Sequence, residues 1–99
     1  MASKKIVWSS RAKSELQQVL EFYVQRNGNP NYSLKILKEV EELLTVLSKR
    51  ELIGRLTSNK VTRVIPLKVY LVFYEINKDR IEILSFWDNR QDQKKRVVK

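Results

Sequence analysis

The chain contains no cysteine and no histidine. The first absence removes disulfides, thiolate nucleophiles and cysteine-ligated zinc. The second removes the commonest general base and the commonest transition-metal ligand, so a Ser-His-Asp triad or a pair of histidines assisting hydrolysis is excluded. Any catalysis must therefore use Lys, Arg, Tyr, Glu or Asp, or act by electrostatic stabilisation alone. No apolar run approaches the roughly 20 residues of a membrane span. The basic start Met1-Ala2-Ser3-Lys4-Lys5 has no signal-type apolar stretch behind it. The expectation is a cytoplasmic protein with no membrane partner, no metal and no cofactor.

What is present is positive charge. Twenty Lys and Arg face 11 Asp and Glu, a net +9 on 99 residues. Such a surface attracts polyanions such as nucleic acid, an acidic protein or an anionic membrane face. The length allows one domain with one core, residues 1–99.

With two glycines and two prolines in the whole chain, each interruption carries information. Ile6-Val7-Trp8 reads as a short strand, followed at once by the helix-capping pair Ser9-Ser10. Ala12, Leu16, Val19, Leu20 and Tyr23 then form one helical stripe, with Arg11, Lys13, Glu15, Gln17, Gln18 and Glu21 on the other face. Asn27-Gly28-Asn29-Pro30-Asn31 ends that helix and starts another. The second stripe is Leu37, Val40, Leu43, Leu44 and Leu47, with Tyr32, Leu34 and Ile36 adding apolar surface near its start. Two amphipathic helices joined so tightly lie antiparallel, and they need a further layer to cover their apolar faces.

The second half supplies that layer. Val61–Ile65 alternates loosely, and Val69–Ile76 is apolar on both faces, as a central strand is. Asn77-Lys78-Asp79-Arg80 reads as a hairpin turn leading into Ile81–Trp87. Pro66 donates no ladder hydrogen bond and suits a strand end. The pattern predicts an α+β domain ordered β-α-α-β-β-β, a helical hairpin on a small antiparallel sheet.

Three stretches stand out in order: Trp8-Ser9-Ser10-Arg11-Ala12; Gly54-Arg55 with Val61-Thr62-Arg63-Val64; and Tyr70–Ile76, a turn, then Ile81–Leu84 running into Phe86-Trp87-Asp88-Asn89-Arg90. With the element order, they resemble the RelE/ParE toxin superfamily over residues 5–92. The resemblance implies the toxin of a type II toxin–antitoxin module, of the kind also called plasmid stabilisation proteins. It further implies a co-expressed antitoxin, expected to be acidic because opposite fields speed and orient association. Its target would be DNA gyrase for a ParE-like member, or mRNA on the ribosome for a RelE-like one.

A ribonuclease without histidine is chemically feasible if cations and a proton acceptor are preorganised around the scissile phosphate. The candidates are Arg55, Arg63 and Arg90, expected to face a common concave surface. Against this, RelE-like ribonucleases carry an arginine directly after the tyrosine that opens the third strand, where this chain has Leu71 after Tyr70. They often have a histidine, or a basic-plus-tyrosine pair, near the end of the last strand, where this chain has Trp87 and no tyrosine after Arg90. The ParE-like, non-nuclease reading is favoured. An inactive toxin fold, or a basic nucleic-acid-binding domain, is the remaining alternative.

Each candidate has a plainer role open to it. Arg55 could cap the second helix, and Arg63 could pair with Glu75 or Glu82. Trp87 could be packing rather than a stacking platform. Asp88 and Arg90, two apart, could form an ion pair. Lys60, Trp87, Asp88, Lys94, Lys95 and Arg96 are candidate contacts for a target or nucleic acid; the basic tail 93–99 could equally be a solvated end.

Overall fold

The computed structural model describes residues 4–90. The elements are β1 (Lys5–Trp8), α1 (Ser10–Asn27), α2 (Asn31–Lys49), β2 (Arg55–Leu56), β3 (Thr62–Leu67), β4 (Tyr70–Ile76) and β5 (Arg80–Asp88). They form one five-stranded sheet, ordered β1-β5-β4-β3-β2, with the helical hairpin over one face.

The helix boundaries follow from local chemistry. Ser9 Oγ accepts the Ala12 N–H at 3.0 Å and so caps α1. Gly28 ends it at φ +74°, a left-handed conformation that costs glycine nothing, and donates its N–H to Val24 O at 2.9 Å. Ser33 Oγ donates to Leu20 O at 2.6 Å, tying the start of α2 to α1.

The stripe of α1 is the expected one: Ala12 is fully buried, with Leu16, Val19, Leu20 and Tyr23 packed beside it. The stripe of α2 is the expected one at Val40, Leu43, Leu44 and Leu47, but at its start Ile36 rather than Leu37 turns inward. Ser33, Ile36, Val40 and Leu47 are buried, while Leu37 is half-buried and Leu34 exposed. Against these ridges sit Tyr70, Val72, Tyr74, Ile81, Ile83 and Phe86. Strand β4 is central and buried on both faces: Phe73 lies on the face opposite Tyr70, Val72 and Tyr74 and is itself buried.

Two features depart from the expected sheet. It is antiparallel from β2 through β5, but β1 joins β5 in parallel, Ile6 opposite Ile81 and Trp8 opposite Ile83. A parallel neighbour needs a long crossover, and the chain between β1 and β5 provides one. The short strand β2 also pairs with β3, Arg55 opposite Val64, and makes a fifth strand.

Strand β1 ends at Trp8, opposite Ile83, so it covers only the first half of β5. Beyond it, α1 takes over the edge. Ser9 N–H donates to Ile83 O at 2.9 Å and Ser9 Oγ to Leu84 O at 3.1 Å. Between Phe73 and Tyr74 the β4–β5 register slips, so that Leu84 and Ser85 together oppose one residue, a bulge. The Glu15 carboxylate fills the place of the missing strand, accepting from Ser85 Oγ at 2.9 Å and Phe86 N–H at 3.0 Å. Glu15 was expected on the solvent face of α1; its position next to Leu16 lets it reach the bulge instead.

Candidate functional site

The three candidate arginines do not share a surface. Residues directly opposite each other in a sheet project to the same side. Arg63 lies opposite Tyr74 and so projects to the helix side, whereas Arg55 lies opposite Val64, itself opposite Phe73, and projects to the other. Arg90 follows Asp88, which pairs with Tyr70 at the far end of the sheet. Four residues of β4 and two strand spacings separate Asp88 from Arg63, about 13 Å along the strands and about 10 Å across them.

Arg63 is occupied. Its Nη1 donates to Gly54 O at 2.7 Å and Leu52 O at 3.4 Å, not to Glu75 or Glu82. Beside it the buried Tyr74 hydroxyl accepts the Gly54 N–H at 2.8 Å and donates to Glu51 O at 2.8 Å. A Cβ on Gly54 would stand 2.6 Å from that hydroxyl and 2.7 Å from the ring, so only glycine fits against Tyr74. Burial raises the Tyr74 pKa, partly offset by the Gly54 N–H and the Arg63 charge. Gly54 and Arg63, both within the second stretch of the family resemblance, thus form a structural lock. Arg55 is exposed on β2, and Lys60 is exposed in the β2–β3 turn at φ +63°.

At the opposite end lies a cavity of about 460 Å³ between α1 and the ends of β4 and β5. Glu15, Gln18, Val19, Phe22 and Tyr23 form its helix wall; Tyr70, Phe86, Trp87, Asp88 and Arg90 form the other. The Tyr70 and Phe86 rings stack at 4.8 Å, and Tyr23 packs edge-on to Tyr32 at 4.7 Å and to Phe22 at 5.0 Å. Trp87 is buried, opposite Leu71 on the face away from the helices, and its indole N–H meets no acceptor among the described residues.

Arg90 and Asp88 form the expected ion pair. Asp88 Oδ1 accepts the Arg90 N–H at 2.9 Å and Nε at 3.0 Å, and Oδ2 accepts Nη2 at 2.8 Å. This pairing holds the Asp88 carboxyl below the usual carboxylate range and raises the guanidinium pKa. Arg90 Nη2 also donates to the Tyr23 hydroxyl at 3.4 Å. That hydrogen bond, with the charges of Arg90 and Arg26, lowers the Tyr23 pKa; burial raises that of Tyr70.

The sequence has no tyrosine after Arg90, yet Tyr23, 67 positions earlier, reaches its guanidinium. Tyr23 was read only as a member of a helical stripe, and nothing in its spacing marked it as Arg90's neighbour. Lys94, Lys95 and Arg96 lie outside the described residues.

Fold and site define a class: a small α+β domain, helical hairpin over a mixed sheet, with a recessed aromatic cavity at one sheet end. The profile of the ParE toxin of the type II toxin-antitoxin system parDE matches residues 6–93, and the chain belongs to that family. It is therefore the toxin component of a type II toxin–antitoxin module, whose partner is an antitoxin. Among solved structures, the chromosomal ParDE TA system from P. aeruginosa matches at TM-score 0.73 and 20% identity, covering 87% of this chain and 96% of that one. At that identity the match speaks for the fold. No curated relative matches. Among the described residues, no helix is long and apolar enough to cross a membrane.

Proposed function

We propose that this toxin arrests growth by binding DNA gyrase, is neutralised by an acidic antitoxin, and does not cut RNA. The observation that carries the reading is the dispersal of its basic residues. Phosphodiester cleavage needs cations converging on one phosphate. Here Arg63 is committed to the Leu52 and Gly54 carbonyls, Arg90 to Asp88, and Arg55 projects from the other face. One observation favours a RelE-like ribonuclease instead: Tyr23, its pKa lowered, lies beside Arg90, a pairing that could serve acid–base chemistry. The Asp88 carboxylate, however, offsets the charge that a phosphate would require.

Inducible expression in a bacterial host, with parallel readouts of mRNA integrity and gyrase-linked DNA breaks, tests the reading. Growth arrest with breaks and intact mRNA is expected. Cleaved mRNA without breaks would move the assignment to the ribonuclease.

A further inference from the structure

The helical hairpin covers one face of the sheet; the other face has no described element packed on it. Leu71, Phe73 and Glu75 alternate with Tyr70, Val72 and Tyr74 along β4 and so point away from the helices. Their cross-strand partners share that face: Thr62 and Val64 on β3, Glu82, Ser85 and Trp87 on β5. A face of this kind is ordinarily left to water. Yet Phe73 is only 4% exposed and Trp87 8%, and neither belongs to the core cluster that the helices close. The Trp87 indole N–H, which donates but never accepts, is buried with no acceptor among the described residues. A buried donor left unmet is costly, and most such groups in native proteins are satisfied by something.

The middle of this face is acidic. Glu75 and Glu82 stand directly opposite each other, an unfavourable placement of like charges. Glu75 accepts from Thr62 Oγ1 at 3.0 Å, and neither carboxylate forms an ion pair among the described residues. The cations of the same face stand at its borders. Lys5 and Arg80 lie one row beyond Glu82, Arg80 beside Asp79, and Arg55 lies on the outermost strand. An acidic partner or a nucleic acid would meet those two carboxylates, whereas an apolar segment carrying cations suits both the acids and the rings.

We propose that the occupant is the chain's own C-terminal segment, residues 91–99, docked on the sheet face opposite the helices. That segment starts two residues after β5 ends at Asp88, at the Trp87 end of the face. Extended, its nine residues reach about 30 Å, and the run from Asp88 back to Glu82 is about 20 Å. It carries two valines between cations, Arg96-Val97-Val98-Lys99. Val97 and Val98 lie on Phe73 and the half-buried Leu71 and Val64. Arg96 and Lys99 then pair with Glu75 and Glu82, and a carbonyl of residues 91–93 accepts the Trp87 indole N–H. The face is closed by the chain itself, and any partner for it must compete with this segment. The inference does not depend on the gyrase reading.

The absence of cysteine makes the test direct. One cysteine added after Lys99 of the full chain carries a single nitroxide, and nitrogen-15 NMR reads which signals it broadens. The amides of Leu71, Phe73 and Glu75 and the Trp87 indole are expected to lose most of their intensity. Those of Lys35, Lys38 and Glu42, exposed on α2 across the sheet, should keep theirs. Replacing both valines, Val97→Ser with Val98→Ser, should weaken the broadening and speed hydrogen exchange of the Trp87 indole by about tenfold. Glu82→Lys should act in the same direction, and Glu42→Lys should change neither readout. The second indole signal, from Trp8 on the helix side, reports that each variant is folded.

Equal broadening on both sides of the molecule would overturn the proposal. So would broadening confined to Phe22, Tyr23 and Arg90, which would put the segment in the cavity beside α1. A spin-labelled, unenriched chain that broadens the face of an enriched chain lacking the added cysteine would hand the face to a second copy. An unchanged Trp87 exchange rate in the double serine variant would show that the valines are not what covers the ring. Each of these outcomes leaves the toxin reading untouched, since growth arrest and antitoxin binding are measured separately.

Discussion

Two ends of one sheet treat similar residues in opposite ways. Where β3 and β4 meet the turn after α2, Tyr74, Arg63 and the Gly54 backbone satisfy one another through four hydrogen bonds to backbone groups. Where β4 and β5 meet α1, a tyrosine and an arginine line an open cavity instead. An arginine on a strand is therefore no sign of function by itself. What distinguishes Arg63 from Arg90 is whether the backbone nearby has carbonyls to offer, and a glycine without a side chain is what brings those carbonyls close.

The largest test of this contrast is Gly54→Ala. The new Cβ must displace the Tyr74 ring or its own loop, and the expected loss is about 3 kcal/mol in urea unfolding, combining overpacking with a broken hydrogen bond. A loss below about 1 kcal/mol would mean that the closed end is looser than its contacts imply.

Glu15→Ala comes next. It strips the acceptor from the buried Phe86 N–H and from Ser85, at an expected cost of about 2 kcal/mol. Glu15→Gln, which keeps one carbonyl oxygen, should lose less than half of that. Equal losses from the two variants would show that charge, not hydrogen bonding at the bulge, is what matters there.

Titration should separate the ends further. The Tyr74 pKa is raised, so its contribution is intact below the ordinary tyrosine value of about 10 and is lost as pH climbs through the folded value. Tyr74→Phe should flatten that part of the alkaline stability profile, leaving the share of Tyr70, whose pKa is raised as well. At the open end the Asp88 pKa is lowered. Its contribution is intact above the ordinary carboxylate value of about 4 and disappears as pH falls through the folded value, so Asp88→Asn should flatten the acid limb.

The smallest expected change in stability comes from Arg90→Ala. Its side chain is more than half exposed, and surface ion pairs of this kind contribute little, so the melting temperature should stay close to wild type. Toxicity and antitoxin binding are the readouts to watch. A stability loss as large as that of Gly54→Ala would make Arg90 a fastener like Arg63 and erase the contrast.

Much of the architecture was legible because burial imposes a period. The stripe Ala12, Leu16, Val19, Leu20, Tyr23 and the two-sided apolar run of β4 follow directly from helical and strand geometry. That Ile36 rather than Leu37 turns inward at the start of α2 was not legible. Leu34, Ile36 and Leu37 are all apolar, and only the tie from Ser33 to Leu20 fixes which of them turns inward. The parallel placement of β1 was hidden for a related reason: a four-residue strand carries no mark of its partner's direction. In the site, the Asp88–Arg90 pair could be anticipated from its spacing. Tyr23 and Glu15 could not, because each sat in a helical pattern whose polar or apolar role looked already assigned.

The layers, the family and the available chemistry were already present in the order of residues, since composition and periodicity are properties of the chain regardless of its path. Its lack of histidine and cysteine ruled out whole mechanisms before any coordinate was needed. Which charged groups are consumed by the protein's own backbone and which stay exposed emerged only on folding. That depends on distances between residues such as Tyr23 and Arg90, or Gly54 and Tyr74, which lie far apart along the chain and meet because the helices must cover the sheet.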